Sequence, residues 1–250
     1  MDQAFLKSVQ LMAGAQERPA SQYPWNLPMI EALEAGVALD PRVTYLIGEN
    51  GSGKSTLLEA VAVAAGMNAE GGSSNFSFAT RASHSELWEA IRLVRGVRRP
   101  ATDYFLRAES VFTAATYLEE LDLQEHGRRV HDAYGGASLH EQSHAEAFLA
   151  VMLNRFGPNG GLYLLDEPEA ALSTQNCLTC LRRIHELVLE GSQFIVATHS
   201  PLVLAYPGAT IYACGERGLE TIAYGDAEPV RLTQSFLSAR GRFLEQLLAD

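Results

Sequence analysis

Hydrophobic positions along the chain fall into two textures. Short apolar runs without alternation occur at Val43–Ile47 (VTYLI), Leu162–Leu165 (LYLL) and Phe194–Thr198 (FIVAT). A strand reads this way when both of its faces are covered. Longer stretches carry apolar residues at helical spacing. In Glu141–Arg155 these are Ala145, Phe148, Leu149, Met152 and Leu153, and Gly157–Gly161 closes the element. Leu57–Ala65 with Gly66 behind it, and Thr174–Leu189 closed by Gly191, predict two further helices; Thr233–Leu248 predicts one or two. Ser85–Val94 and Ser110–Leu121 also read as helical. Asn75–Ala79 alternates like a strand, and Tyr104–Ala108, Thr210–Ala213 and Glu220–Tyr224 complete the strand set. Tyr23–Pro28 is too rich in proline for a helix, and Met29–Ala35 fits either a short helix or a strand. Residues 71–75 and 126–138 are loops. Buried strands alternating with helices predict an α/β fold with a mainly parallel sheet flanked by helices. No internal repeat or low-complexity tract interrupts it.

Bulk properties narrow the partners. At 250 residues with 47% apolar content, the chain can bury one large core or two small ones. No apolar run approaches the roughly 20 residues of a membrane-spanning helix. Asp2 and the lack of an apolar segment behind it are unlike a secretion signal, so the expected location is cytoplasmic. A net charge of −11 argues against broad nucleic-acid binding, which needs a basic face. Arg92, Arg95, Arg98 and Arg99 cluster, as do Arg128 and Arg129; both groups read as solvated helix faces. Lysine occurs only at Lys7 and Lys54. Cys177 and Cys180 lie three residues apart on one predicted helix face, and no second pair accompanies them and Cys214. Buried, reduced thiols fit this spacing better than a structural zinc.

Lys54 sits in the chain's most specific motif. Gly48-Glu49-Asn50-Gly51-Ser52-Gly53-Lys54-Ser55-Thr56 fits G-x-x-x-x-G-K-[ST] between a buried strand and a helix. Such a loop aims backbone N–H groups at phosphate oxygens, and the helix adds the positive end of its dipole. Asn50, Gly51, Ser52, Gly53 and Thr56 frame the phosphates, Lys54 reaches the terminal ones, and Ser55 is a ligand for Mg²⁺. The Leu162–Leu165 strand runs into Asp166-Glu167-Pro168-Glu169. Asp166 is a second ligand for the metal, and Glu167 is placed to polarise an attacking water. His199 follows the next strand, where it can sense the terminal phosphate.

In this order the residues resemble the ATP-binding-cassette (ABC) ATPase superfamily: Gly48–Thr56 as Walker A, Leu162–Glu167 as Walker B and His199 as the switch histidine, across roughly residues 43–215. Within it the chain is most similar to the RecF/SMC/OLD-like branch. It is similar in particular to small bacterial stand-alone "AAA family" ATPases, which share stretches like Tyr104–Ser110, His140–Leu149, Leu162–Ser173 and Ala197–Pro201. The resemblance implies one ABC-type domain, with a nucleotide-binding core at about 1–80 and 156–250 and a helical subdomain inserted at about 81–155. It implies Mg²⁺-dependent ATP binding and hydrolysis, with catalytic roles for Lys54, Glu167 and His199, and an ATP-closed homodimer. Ser143 would bind the nucleotide of the opposite subunit; it also fits the capping box of its own helix, with Glu146. His144 and Ala145 replace the two glycines usual in that signature, Ser173 replaces an aspartate, and Glu109 stands where a Q-loop glutamine is expected. Tyr23 or Trp25 would stack on adenine or serve as a core aromatic. Alternative settings are a transporter's nucleotide-binding subunit and a RecF/SMC-like DNA-maintenance or defence ATPase. The pairing of Asp166-Glu167 with His199 suits attack by water better than a kinase's acceptor hydroxyl.

Overall fold

The computed structural model describes residues 4–14, 18–73, 85–108 and 144–249. Its central layer is a six-stranded sheet of β3 (Val43–Ile47), β5 (Thr102–Arg107), β6 (Gly161–Asp166), β7 (Gln193–Ala197), β8 (Thr210–Gly215) and β9 (Gly218–Ile222). The spatial order is β5-β6-β7-β3-β8-β9. Every neighbouring pair is parallel except the β8–β9 hairpin at one edge.

The uninterrupted apolar runs are explained by what covers the two faces. On one face lie Val43, Tyr45, Ile47, Tyr163, Leu165, Phe194 and Val196. They pack against α4 (His144–Arg155) through Phe148 and Met152, and against α5 (Thr174–Leu189) through Cys180, Ile184 and Leu187. On the other face, Leu46, Phe105, Leu162, Leu164, Ile195 and Ala197 meet α1 (Met29–Ala35) and α2 (Lys54–Ala65). Period-two alternation thus sends the apolar side chains of the central strands into two cores. A C-terminal pair, α6 (Glu228–Ser238) and α7 (Arg240–Leu247), ends the chain, packed mainly through Val230 of α6.

A second, three-stranded antiparallel sheet was not anticipated. It joins β1 (Leu6–Leu11), β2 (Val37–Ala38) and β4 (Ile91–Arg95) in the order β2-β1-β4. The expected helix over Ser85–Val94 is only one turn, α3 (Leu87–Ala90), after which the backbone extends and Ile91 and Leu93 pair with Leu11 and Val9. Apolar residues at 87, 91 and 93 fit a helical or an alternating template, and the free side of β1 decides between them. The basic cluster is therefore not a helix face. Arg92 donates to Gln10 Oε1 at 2.7 Å, Arg95 reaches the terminal carbonyls of α2 at Ala64 and Ala65, and Arg98 lies over the Phe5 ring. Met29–Ala35 resolves to helix, and the predicted C-terminal helix divides in two. The predicted elements at 75–79, 110–121 and 126–138, and the Arg128-Arg129 pair, lie outside the described residues.

One side chain pins the two sheets together. Gln193, fully buried in β7, accepts the N–H groups of Phe5 and Leu6 on Oε1, both at 2.9 Å. Its amide nitrogen donates to the carbonyls of Leu6 (2.7 Å) and Asp40 (2.9 Å). All four hydrogen-bonding positions of the amide are used. Gln193→Leu strands these backbone groups in the core, and calorimetry should find a loss of about 3 kcal/mol. A melting temperature unchanged by the substitution would contradict the pin.

All three cysteines are buried and unpaired. Burial raises the Cys177 thiol and pushes Cys180 and Cys214 up to about 12. A raised thiol pKa leaves little reactive thiolate at pH 8. Native protein at that pH should therefore resist iodoacetamide, whereas urea-unfolded chain should take up three equivalents by mass spectrometry. Rapid labelling of the native form would show that these thiols are reachable.

Candidate functional site

Four neighbouring parallel strands finish abreast. Arg107, Asp166, Ala197 and Leu46 form one register row across β5, β6, β7 and β3. The ladder runs one residue further, with Glu167 N–H donating to Ala197 O at 2.9 Å and Thr198 N–H to Leu46 O at 3.1 Å. Whatever follows each strand is thereby delivered to the same edge.

After β3 the chain turns through Gly48–Gly53 into α2. Two glycines make the turn fit. Gly48 has φ 147°, and a Cβ there would lie 2.2 Å from the Cys214 carbonyl oxygen. Gly53, at φ 96°, would bring a Cβ within 2.9 Å of the Met29 methyl. Lys54 is the first residue of α2 and is buried, its ammonium folded onto the carbonyls of Gly48 (2.8 Å) and Glu49 (3.0 Å). Burial lowers its pKa, and the charges of Glu167, Asp166 and Glu169 oppose that shift. Asn50 and Gly51 are exposed at the loop tip. Thr56 Oγ1 lies 2.9 Å from the Tyr23 hydroxyl. Of the two upstream aromatics, Tyr23 is thus exposed beside the loop, whereas Trp25 is packed inside with the Arg18 guanidinium over its ring.

The pleat brings the metal-type ligands together. Leu162, Leu164 and Asp166 share the face that α2 covers, and Ser55 on α2 donates to Asp166 Oδ1 at 2.9 Å. Asp166 Oδ2 is 3.4 Å from Arg107 Nε, and Arg107 also binds Glu59 Oε2 at 3.0 Å. Glu167 departs from the strand at φ 49°, in the left-handed region that a glutamate seldom occupies. Its Oε1 lies 3.6 Å from His199 Nε2. Glu169 sits in the short 3-10 turn that follows and accepts from Thr198 Oγ1 (2.8 Å), the His199 N–H and the Ser200 N–H (3.1 Å).

The chemistry of the site follows from these donors. Ser55 Oγ and Asp166 Oδ1 offer a hard cation such as Mg²⁺ two adjacent oxygens. Ser52 Oγ and His199 Nε2 are buried with no hydrogen-bond partner among the described residues. Buried polar atoms of this kind are normally satisfied. The predicted residues at 50–56, 166, 167 and 199 converge. Ser143 and the Q-loop candidate Glu109 lie outside the described residues, as do the side chains of His144 and Ala145. Ser173 caps α5 by accepting from Asn176 N at 3.2 Å. Sequence reasoning missed Arg107, Glu59 and Glu169. The signal for Arg107 was its place at a strand end, which becomes informative only once β5 is paired in register with β6.

Known proteins show several similarities to this chain. Residues 43–124 match the family model described as "AAA domain, putative AbiEii toxin, Type IV TA system". The chain is 28% identical to ABC transporter G family member 22 of Arabidopsis thaliana over 64% of its length and 23% of that protein's. It is 24% identical to the ABC transporter ATP-binding protein/permease PDR18 of Saccharomyces cerevisiae over 80% of its length, spanning 17% of that protein. The chain thus spans less than a quarter of either curated relative. Among solved structures, the SMC head domain from Thermotoga maritima is similar at a TM-score of 0.42 and 17% identity, covering 87% of this chain and 98% of that one. The family-model match over residues 43–124, the curated relatives and the ordered motif set on a mainly parallel sheet make the chain similar to ABC-type P-loop ATPases.

Proposed function

We propose that this chain binds Mg-ATP and hydrolyses it, closing as a head-to-tail homodimer around two nucleotides. The observation that carries the reading is the convergence of Lys54, the Ser55–Asp166 pair and the Glu167–His199 pair at one sheet edge. Lys54 would exchange its two carbonyl partners for phosphate oxygens, while the amides at the start of α2 face the same charge. Ser55 and Asp166 would hold Mg²⁺, which neutralises charge developing on the phosphates. Glu167 would accept the proton of the attacking water. Among the described residues it is the one of the three carboxylates at positions 166, 167 and 169 with neither a side-chain hydrogen bond nor an arginine partner. His199, beside it, would donate to the terminal phosphate.

The second subunit would contribute Ser143 to complete each site. The helical subdomain of this reading spans about 81–155, and within it β4 pairs with β1 and β5 with β6. The family model's description favours a defence setting over a transporter one. No helix among the described residues is long and apolar enough to cross a membrane. Reduced cysteines and acidic charge suit a cytoplasmic protein without extended DNA contact.

Glu167→Gln separates binding from chemistry. It should retain ATP, lose about 10²- to 10⁴-fold in turnover, and run as a dimer by light scattering when Mg-ATP is present. Lys54→Ala should bind no ATP and stay monomeric under the same conditions. An ATP-loaded Glu167→Gln protein that remains monomeric would remove the composite site from the reading. Undiminished turnover would remove Glu167 as the base.

Tyr23 supplies a separate check on where the base of the nucleotide lies. Its exposed ring beside Thr56 suits stacking on adenine. Tyr23→Ala should weaken ATP affinity about tenfold by calorimetric titration and leave inorganic pyrophosphate binding unchanged, a base–aromatic stack being worth about 1–3 kcal/mol. Equal losses for both ligands would place Tyr23 at the phosphates instead.

A further inference from the structure

Glu169 has no assigned part in the chemistry, yet its carboxylate accepts three hydrogen bonds at the site. Its carboxylate receives donors from three consecutive residues: the Thr198 hydroxyl at 2.8 Å, the His199 N–H and the Ser200 N–H at 3.1 Å. Hydrogen bonds to an ionised acceptor are short and strong. The Thr198 hydroxyl also accepts Ser200 N–H at 3.0 Å, which closes the loop on itself.

This arrangement matters because His199 has little else to fix it. Its Nε2 has no hydrogen-bond partner among the described residues, and its separation of 3.6 Å from Glu167 Oε1 is beyond hydrogen-bond length. The ring therefore takes its place from the backbone beneath it, and Glu169 holds that backbone. Glu169 belongs to the turn directly after Asp166 and Glu167, so the staple joins the loop after β6 to the loop after β7. It is unsuited to be the base itself, since donors already occupy both of its oxygens.

We infer that Glu169 is a positioning residue for hydrolysis: its carboxylate clamps the backbone at 198–200 and so sets His199 against Glu167 and the terminal phosphate. The inference rests on the hydrolytic reading above, and its test has one readout that does not. In hydrogen-exchange measurements on the full chain, Glu169→Ala should speed exchange at the His199 and Ser200 amides about tenfold, the worth of a lost charge-assisted bond. In steady-state kinetics it should lower kcat about ten- to hundredfold while KM for ATP moves less than about twofold, as misplacement of a working group does. On a His199→Ala background it should cost less than about twofold more, because the two changes disable one device. Glu169→Gln, which keeps one acceptor oxygen, should fall between, and it carries both readouts where the alanine variant is poorly folded. Unchanged exchange at 199 and 200 would overturn the clamp. Losses that multiply with His199→Ala, or that appear in KM rather than kcat, would overturn its role in placing His199. A wild-type chain without ATPase activity would count against the hydrolytic reading, with the exchange measurement still deciding the clamp.

Discussion

The whole site depends on parallel register. Arg107, Asp166, Ala197 and Leu46 stand abreast on four strands, and every group with a chemical role lies on, or a few residues beyond, that row. A slip of one residue in any strand would move its row residue to the opposite face. Such a slip would bury Asp166 among Phe148 and Met152 and turn Leu165 toward α2. Each of β3, β6 and β7 is apolar on both faces, so the two cores select the same register independently. Packing energy distributed over the sheet thereby fixes a few polar atoms at its edge.

That edge has to hold several like charges. Asp166, Glu167 and Glu169 fall within four residues, and Glu59 approaches from α2. Unpaired carboxylates this close would repel and resist burial. The structure divides them among distinct partners. Asp166 takes Ser55 and Arg107, Glu59 shares that guanidinium, and Glu169 takes backbone and hydroxyl donors. Glu167 is left beside a histidine and partly exposed to solvent. Its availability is a consequence of how fully its neighbours are committed. Arg107 supplies fixed positive charge to the acidic side from the end of β5.

How much of this the sequence disclosed follows from the range of each interaction. The phosphate loop, the Asp166-Glu167 pair and the strands before them were legible because glycine spacing and unbroken apolar runs are local signals. The strand at Leu6–Leu11 was not, because Lys7, Ser8 and Gln10 give it a weak alternation and β4 supplies its partner from 80 residues away. For the same reason Ile91–Arg95 passed for helix: its strand character is conferred by β1, not by its own pattern. Arg107 and Glu169 were visible as residues but not as site members. Their partners lie across a strand pair and across a loop, and only the register brings them together.

The same geometry divides the site into a fixed half and an adjustable half. Glu167 and His199 follow adjacent strands, and the Glu167 N–H is bonded to the Ala197 carbonyl, so backbone hydrogen bonds tie the two loops. The unusual φ of Glu167 is held there by that bond and by the turn of residues 168–170 behind it. Strain of this kind persists only where the surroundings over-determine it. Lys54 and Ser55 arrive differently, on a helix that packs on the sheet through side chains alone. Their present partners are loop carbonyls and one carboxylate oxygen, contacts that a phosphate and a cation would replace without breaking the sheet. Nucleotide binding would therefore rearrange the bonds of the loop and of α2 around a Glu167–His199 pair that stays in place. Glu167 and His199 would keep their separation whether or not the loop is occupied.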